Sequence, residues 1–81
     1  MLDSRFAAIV RRHLHLLAPA EELAPDAPLR ELGLDSMATV GLVIDLESEL
    51  GIAFPESSLT AETFADAASL WRAVGVATRA G

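Results

Sequence analysis

Residues 36–50 decide the fold, and they read SMATVGLVIDLESEL. Apolar residues recur in this segment at helical spacing, and it is the longest uninterrupted helical pattern in the chain. Asp35 and Ser36 are residue types that cap the start of a helix, and a glycine such as Gly51 commonly follows its end. The pattern predicts a helix that begins at Ser36 or Met37 and ends before Gly51.

The predicted helix has apolar residues on two faces. On a wheel of about 100° per residue, the broader face, which should turn toward a core, carries Thr39, Leu42, Val43, Leu46 and Leu50. The opposite face is a narrower strip, here called the exposed strip, of Met37, Val40 and Ile44. Because three short helices can bury only one face well, we expect the exposed strip to stay partly in solvent, on the same side as Ser36.

A helix near the amino end is predicted from a second set of apolar positions, Phe6, Ile9, Val10, Leu14 and Leu17. Asp3 or Ser4 can cap its start, and Pro19 is expected to end it. Residues 18–35 then hold three prolines and a glycine, so no long helix fits there. We expect this long first loop to fold over the bundle and hold residues 33–36 in place. The side chains that would anchor it are Leu23, Leu29, Leu32 and Leu34.

The last third of the chain predicts one more long helix. Residues 54–60 contain Pro55 and two serines, which favours a turn or a single helical turn. Thr63 and Asp66 then resemble a capping box. One face of the helix that follows would carry Phe64, Ala67, Ala68, Trp71 and Val74, with the tryptophan as a core anchor. With no strand alternation anywhere, the predicted class is all-α.

Composition limits what the chain can do. Its 81 residues make one small domain, placed at residues 1–76 and followed by a disordered tail over 77–81. A net charge of −6 disfavours nucleic acid. Without an apolar run near the roughly 20 residues that cross a bilayer, we expect no membrane contact and a cytoplasmic location. The chain has no cysteine, and His13 and His15 would project from different sides of a helix, so no metal site is predicted.

Ser36 is the candidate for a chemical role. A phosphate ester at the start of a helix meets free backbone N–H groups and the positive end of the helix dipole. The alternative is that Ser36 only caps the helix, although Asp35 can cap it equally well. A carboxylate beside a phosphate would also suit a shared Mg²⁺ during transfer of a phosphoryl-linked group.

The exposed strip begins beside Ser36, as expected of a docking surface for an enzyme that must reach this serine. Gly41, near the edge of the strip, removes a side chain that could obstruct a partner's approach, and Glu47 continues the ridge. Single exposed apolar residues are nevertheless ordinary on a protein surface. The candidate partner-binding residues are Met37, Val40, Gly41, Ile44 and Glu47.

Three segments of the chain resemble the acyl carrier protein family, and the similarity extends over nearly its whole length. They are LGLDSM at residues 32–37, LVIDLE at 42–47 and GIAFP at 51–55. In the family's Asp-Ser-Leu motif, the serine receives 4′-phosphopantetheine from coenzyme A through a Mg²⁺-dependent transferase. Asp35 and Ser36 match this motif, while Met37 replaces the leucine with an apolar side chain of similar volume.

The resemblance implies a four-helix bundle of acyl-carrier type, with three main helices and a short third helix within residues 55–60. It implies a non-catalytic carrier of biosynthetic intermediates, held as thioesters on the phosphopantetheine of Ser36. Nothing in the sequence suggests an obligate dimer, so a monomer is expected. Its partners would be a phosphopantetheinyl transferase, an acyl- or aminoacyl-loading enzyme and a downstream synthase or transferase. Ala38 and Gly41 stand where fatty-acid carriers usually have acidic residues, which favours a polyketide or nonribosomal peptide pathway.

Two alternatives stay open. The chain could be a discrete aminoacyl or peptidyl carrier protein loaded by an adenylating enzyme, because the sequence does not decide the cargo. It could also be a helical interaction module whose exposed strip binds a partner while Ser36 only caps a helix. A serine hydrolase is disfavoured, since the chain lacks a G-x-S-x-G elbow and leaves little room for a substrate pocket.

Overall fold

The computed structural model describes residues 3–18 and 20–80, and the elements in this part of the chain are all helical. The α-helices are α1 (Ser4–Arg11), α2 (Ser36–Leu50) and α3 (Ala67–Ala80), and two 3₁₀ turns lie at Leu29–Leu32 and Glu56–Ser58. No strand occurs in this part, where an isolated bridge joins Pro28 to Asp66. The all-α class is therefore confirmed, and the predicted short third helix is the 3₁₀ turn after Pro55. No helix among these residues is long and apolar enough to span a membrane.

Helix α2 has the predicted bounds because its sequence supplies both ends. The carboxylate of Asp35 accepts a hydrogen bond from the backbone N–H of Ala38 at 2.8 Å, which satisfies a donor of the first turn. Gly51 follows the helix in the left-handed conformation, with φ 65° and ψ 39°, and its N–H donates to the carbonyl of Glu47.

Helix α1 begins at the predicted cap but ends earlier than predicted. Asp3 accepts hydrogen bonds from the N–H groups of Arg5 and Phe6. After Arg11 the chain tightens: each N–H over residues 12–14 donates to the carbonyl three residues back instead of four. Leu14 is still buried at the end of these turns, so its apolar spacing suits a tight turn as well as a helix. Pro19, the predicted end of the helix, lies outside the described residues.

Helix α3 begins later than predicted and continues further. Asp66 caps it, accepting a hydrogen bond from the N–H of Ser69 at 2.8 Å, and this bond lowers the pKa of the Asp66 carboxyl. The predicted capping box is wrong, because the N–H of Thr63 bonds to Thr60 instead and Phe64 precedes the helix. The sequence predicts a tail from residue 77, and in the structure the helix runs to Ala80 with Ala77 buried.

The core lies between the three helices and under the long first loop. Trp71 is half-buried at its edge and packs against the ring of Phe6 at a centroid distance of 4.9 Å, which confirms its anchoring role. The predicted leucines of the loop do cover the core: two are buried and two pack against it. Backbone hydrogen bonds tie the loop down, from Leu29 N–H to the carbonyl of Ala65 and from Ala68 N–H to the carbonyl of Pro25. The anchored loop thus holds the residues immediately before Ser36 in position.

Replacing Gly33 with alanine should destabilise the protein more than the same change at Gly51. Gly33 has φ 107°, beyond the left-handed region of L-residues, and a Cβ there would lie 2.8 Å from the His15 ring. Gly51 lies within that region, and a Cβ would meet nothing within 4 Å. We expect losses in the free energy of unfolding of about 2 kcal/mol or more for Gly33→Ala and about 1 kcal/mol for Gly51→Ala. Urea unfolding checks this, and equal losses would contradict the strain at Gly33.

Candidate functional site

Ser36 is the first residue of α2 and is exposed to solvent. Because Asp35 occupies the cap position, the Ser36 hydroxyl is not needed to cap the helix, and it makes no hydrogen bond within the described residues. The backbone N–H groups of Ser36 and Met37 likewise have no partner there. The structure thus presents a free hydroxyl beside free backbone donors, at the positive end of a fifteen-residue helix.

An open apolar groove of about 750 Å³ starts at Ser36 and runs between α2 and residues 59–65. Its apolar lining comes mainly from Leu34, Val40, Val43, Ile44, Leu59 and Phe64. Arg30 is the charged residue among those that line it. A flexible chain attached to the Ser36 hydroxyl would therefore have an apolar surface beside its point of attachment.

A second, smaller depression lies on the other side of Ser36. It has a volume of about 380 Å³ and is lined by His15, Arg30, Gly33, Asp35 and Ser36. Its walls are more polar than those of the groove, with polar and apolar surface in about equal shares. Ser36 therefore stands between an apolar and a polar depression.

The exposed strip is where the sequence predicts it. Met37, Val40 and Ile44 are 84%, 61% and 59% exposed, whereas Leu42 and Leu46 on the opposite face are fully buried. Val40 and Ile44 also form part of the groove wall, so the strip and the groove are continuous. An apolar ridge of this exposure beside a free serine hydroxyl is suited to contact with another protein.

The two other candidate partner-binding residues have contacts within the chain. The carboxylate of Glu47 accepts a hydrogen bond from the N–H of Phe54 at 2.9 Å, and so holds the segment after α2. Gly41 is half-buried, and a Cβ there would lie 3.1 Å from the ring of His13. The structure thus gives Gly41 a reason other than partner access: it makes room for a neighbouring side chain.

His13 joins the end of α1 to α2. Its Nε2 lies 2.6 Å from a carboxylate oxygen of Asp45, and its ring covers Gly41. His15 lies apart from it, against Gly33. Among the described residues no group of three or more histidine or acidic side chains could hold a metal ion.

Sequence reasoning missed two parts of the site. The far wall of the groove, residues 59–65, comes from a turn region in which Phe64 alone belonged to a predicted apolar face. Arg30 comes from the long first loop, where only the leucines gave a signal. Neither could be identified by spacing, because both reach Ser36 through tertiary packing.

Comparison with protein families gives one match over most of the chain. Residues 4–71 match the family described as "Phosphopantetheine attachment site". The matched region contains both depressions and the whole of α2.

Two curated relatives come from Bradyrhizobium diazoefficiens. Aminoacyl carrier protein 1 is 34% identical over 71 residues, which cover 88% of this chain and 79% of the relative. Aminoacyl carrier protein 2 is 27% identical over 73 residues, covering 90% of this chain and 82% of the relative.

Two solved structures of similar chains involve a Bradyrhizobium japonicum glycine:[carrier protein] ligase. In the complex with glycylated carrier protein, the matched chain has a TM-score of 0.69 and 34% identity, covering 88% of this chain and 99% of its own. In the complex with the cognate carrier protein and an analogue of glycyl adenylate, the TM-score is 0.72 at 34% identity, with 91% and 99% covered. The similarity therefore extends from sequence to fold.

Proposed function

The chain belongs to the family of phosphopantetheine-binding carrier proteins, and from that premise we propose that it is an aminoacyl carrier protein with its prosthetic group on Ser36. Membership confirms the resemblance seen in the sequence. It also confirms that the chain carries covalently attached 4′-phosphopantetheine and, as a carrier, is not an enzyme. The attachment residue, the cargo and the partners are the subject of the proposal.

Attachment at Ser36 is supported by one observation above all: this exposed hydroxyl, at the first position of α2, is free because Asp35 caps the helix in its place. Esterification would therefore cost the helix no capping bond. The new phosphodiester would lie beside the unpaired N–H groups of the first turn, which favour an anion. When bound, the prosthetic group supplies a thiol for thioester formation, which this cysteine-free chain lacks.

An aminoacyl cargo is supported by the relatives, which are named as aminoacyl carrier proteins or are carrier chains in complexes of a glycine ligase. The groove is consistent with it: its apolar wall suits the hydrocarbon parts of the arm, while burying an ammonium group there would be costly. The amino acid is thus left in solvent, where an enzyme can take it. A polyketide or nonribosomal peptide pathway stays a prediction.

The proposed partners are a phosphopantetheinyl transferase, an adenylating ligase that loads an amino acid with ATP, and a downstream acceptor enzyme. All three must reach the arm at Ser36, and the surface next to it is the exposed strip. A cytoplasmic location is proposed with them, because ATP and coenzyme A are available there.

The cargo class can be tested with the holo-protein, prepared with coenzyme A, Mg²⁺ and a promiscuous transferase. We expect ATP-dependent addition of one aminoacyl group when it is incubated with the Bradyrhizobium japonicum glycine ligase and each amino acid in turn, followed by intact-protein mass. The apo-protein, and holo-protein without ATP, should gain nothing. Acylation from malonyl-coenzyme A by an acyltransferase, without any ATP-dependent aminoacylation, would contradict an aminoacyl cargo.

A further inference from the structure

Arg30 is a cation on a fixed segment of backbone. It lies in the 3₁₀ turn Leu29–Leu32, whose first residue is fully buried and whose last packs against the core. The N–H of Leu29 donates to Ala65, and the carbonyl of Arg30 itself accepts from Gly33. The side chain of Arg30 is exposed, so it extends into solvent from an anchored base.

Arg30 also lines both of the depressions that flank the attachment site. Among the described residues, it shares with Ser36 alone the property of lining both the apolar groove and the polar depression. The two depressions meet at these two residues. A group bonded to the Ser36 oxygen therefore lies near the Arg30 side chain, whichever depression the rest of the arm enters.

The guanidinium of Arg30 has no partner in the described part of the chain, whereas other arginines are engaged. Arg12 pairs with Glu49, Arg5 donates to the Glu49 carbonyl, and Arg72 donates to Ser69. Arg30 makes no hydrogen bond or ion pair of this kind among those residues. Its five donors are available to an anion.

A cation near Ser36 would offset the negative charge that accumulates there once the prosthetic group is attached. The phosphodiester adds a negative charge to a chain of net charge −6, directly beside the Asp35 carboxylate. Negative charges on adjacent residues repel each other, and the N–H groups at the start of α2 oppose that repulsion. Asp35 cannot move away without giving up its bond to Ala38. A guanidinium matches the geometry of phosphate oxygens better than an ammonium does.

We infer that Arg30 binds the phosphodiester of the prosthetic group and so fixes the direction in which the arm leaves Ser36. Arg30 is a positioning residue: it acts on the root of the arm, not on the thiol or the cargo. The inference rests on the proposed attachment at Ser36. Holding the phosphate on the Arg30 side keeps the first bonds of the arm over the junction of groove and depression.

The test compares Arg30→Gln with Arg72→Gln in the holo-protein. Each substitution removes one positive charge from an exposed site, so both variants have the same net charge and only one loses the cation at Ser36. The probes are the ³¹P resonance of the attached phosphodiester and the Nε–Hε resonance of Arg30, recorded at low and high NaCl. Circular dichroism confirms that both variants are folded.

We expect the Nε–Hε resonance of Arg30 to shift between apo- and holo-protein, and the ³¹P resonance to shift in Arg30→Gln but not in Arg72→Gln. High salt should move the wild-type ³¹P resonance toward that of Arg30→Gln, because it screens the contact. In Arg30→Lys the ³¹P resonance should lie between its positions in Arg30→Gln and in wild type. Attachment at Ser36 with both resonances unchanged overturns the role of Arg30 alone. Failure of the wild type to gain a phosphopantetheine at Ser36 overturns this inference together with the proposed function.

Discussion

Ser36→Ala is expected to abolish phosphopantetheine attachment completely while leaving the fold intact. The hydroxyl oxygen that would form the ester bond is removed, and the other hydroxyls that line the groove, those of Thr39 and Thr60, already make hydrogen bonds within the chain. The fold should persist because Asp35 caps α2 and alanine is a better helix former than serine. Intact-protein mass after incubation with coenzyme A, Mg²⁺ and a promiscuous transferase measures the effect: wild type gains one phosphopantetheine and Ser36→Ala gains none.

Ser48→Ala is the matched control, because it makes the same change at an exposed serine of the same helix. It should be modified as fully as wild type. Attachment to Ser36→Ala would place the group on a different residue. If wild type itself gains no mass with a transferase of proven activity, the helical interaction module becomes the better interpretation and the free hydroxyl of Ser36 has no chemical role.

Helix α2 could be predicted in full from the sequence because its limits are set locally. Asp35 and Gly51 act on the backbone within one turn of their own position, so their residue types alone carry the information. The division between buried and exposed faces was equally accessible, since it depends only on helical periodicity. Ser36 and the exposed strip follow directly from these two facts.

The other helix limits were not accessible in the same way. Leu14 and Leu17 continue the apolar spacing of α1, but a spacing of three or four residues fits consecutive tight turns as well as a helix. At α3, Thr63 and Asp66 are both plausible caps. The choice of Asp66 follows from contacts distant in sequence, since its neighbours Ala65 and Ala68 bond to the first loop.

The site was predictable where it lies on α2 and hidden where it comes from elsewhere. Gly41 shows the limit: from the sequence its missing side chain favours access for a partner, but in the structure the space is filled by His13, a residue 28 positions away (41 − 13). Arg30 shows it again, since no periodicity or motif connects it to Ser36. Residues that meet only through the packing of a loop leave no local signal.

Val40→Asp is expected to lower kcat/KM for loading of the holo-protein by about 10- to 100-fold, which corresponds to roughly 1.4 to 2.8 kcal/mol at the transition state. If the exposed strip is buried against the loading enzyme, a carboxylate at Val40 would have to lose its hydration in an apolar contact, which costs free energy. The measurement is the rate of ATP-dependent aminoacylation as a function of carrier concentration, on protein already carrying the prosthetic group.

Val76→Asp separates docking from the general effects of the substitution. Val76 is also a helical valine, 48% exposed compared with 61% for Val40, but it lies on α3 and lines neither depression beside Ser36. Both variants lose the same apolar side chain and gain the same charge, so effects on helix propensity and net charge should be alike. Loading of Val76→Asp should stay close to wild type. Equal rates for the two variants would mean that the exposed strip does not contact the loading enzyme, and that its apolar residues are ordinary surface.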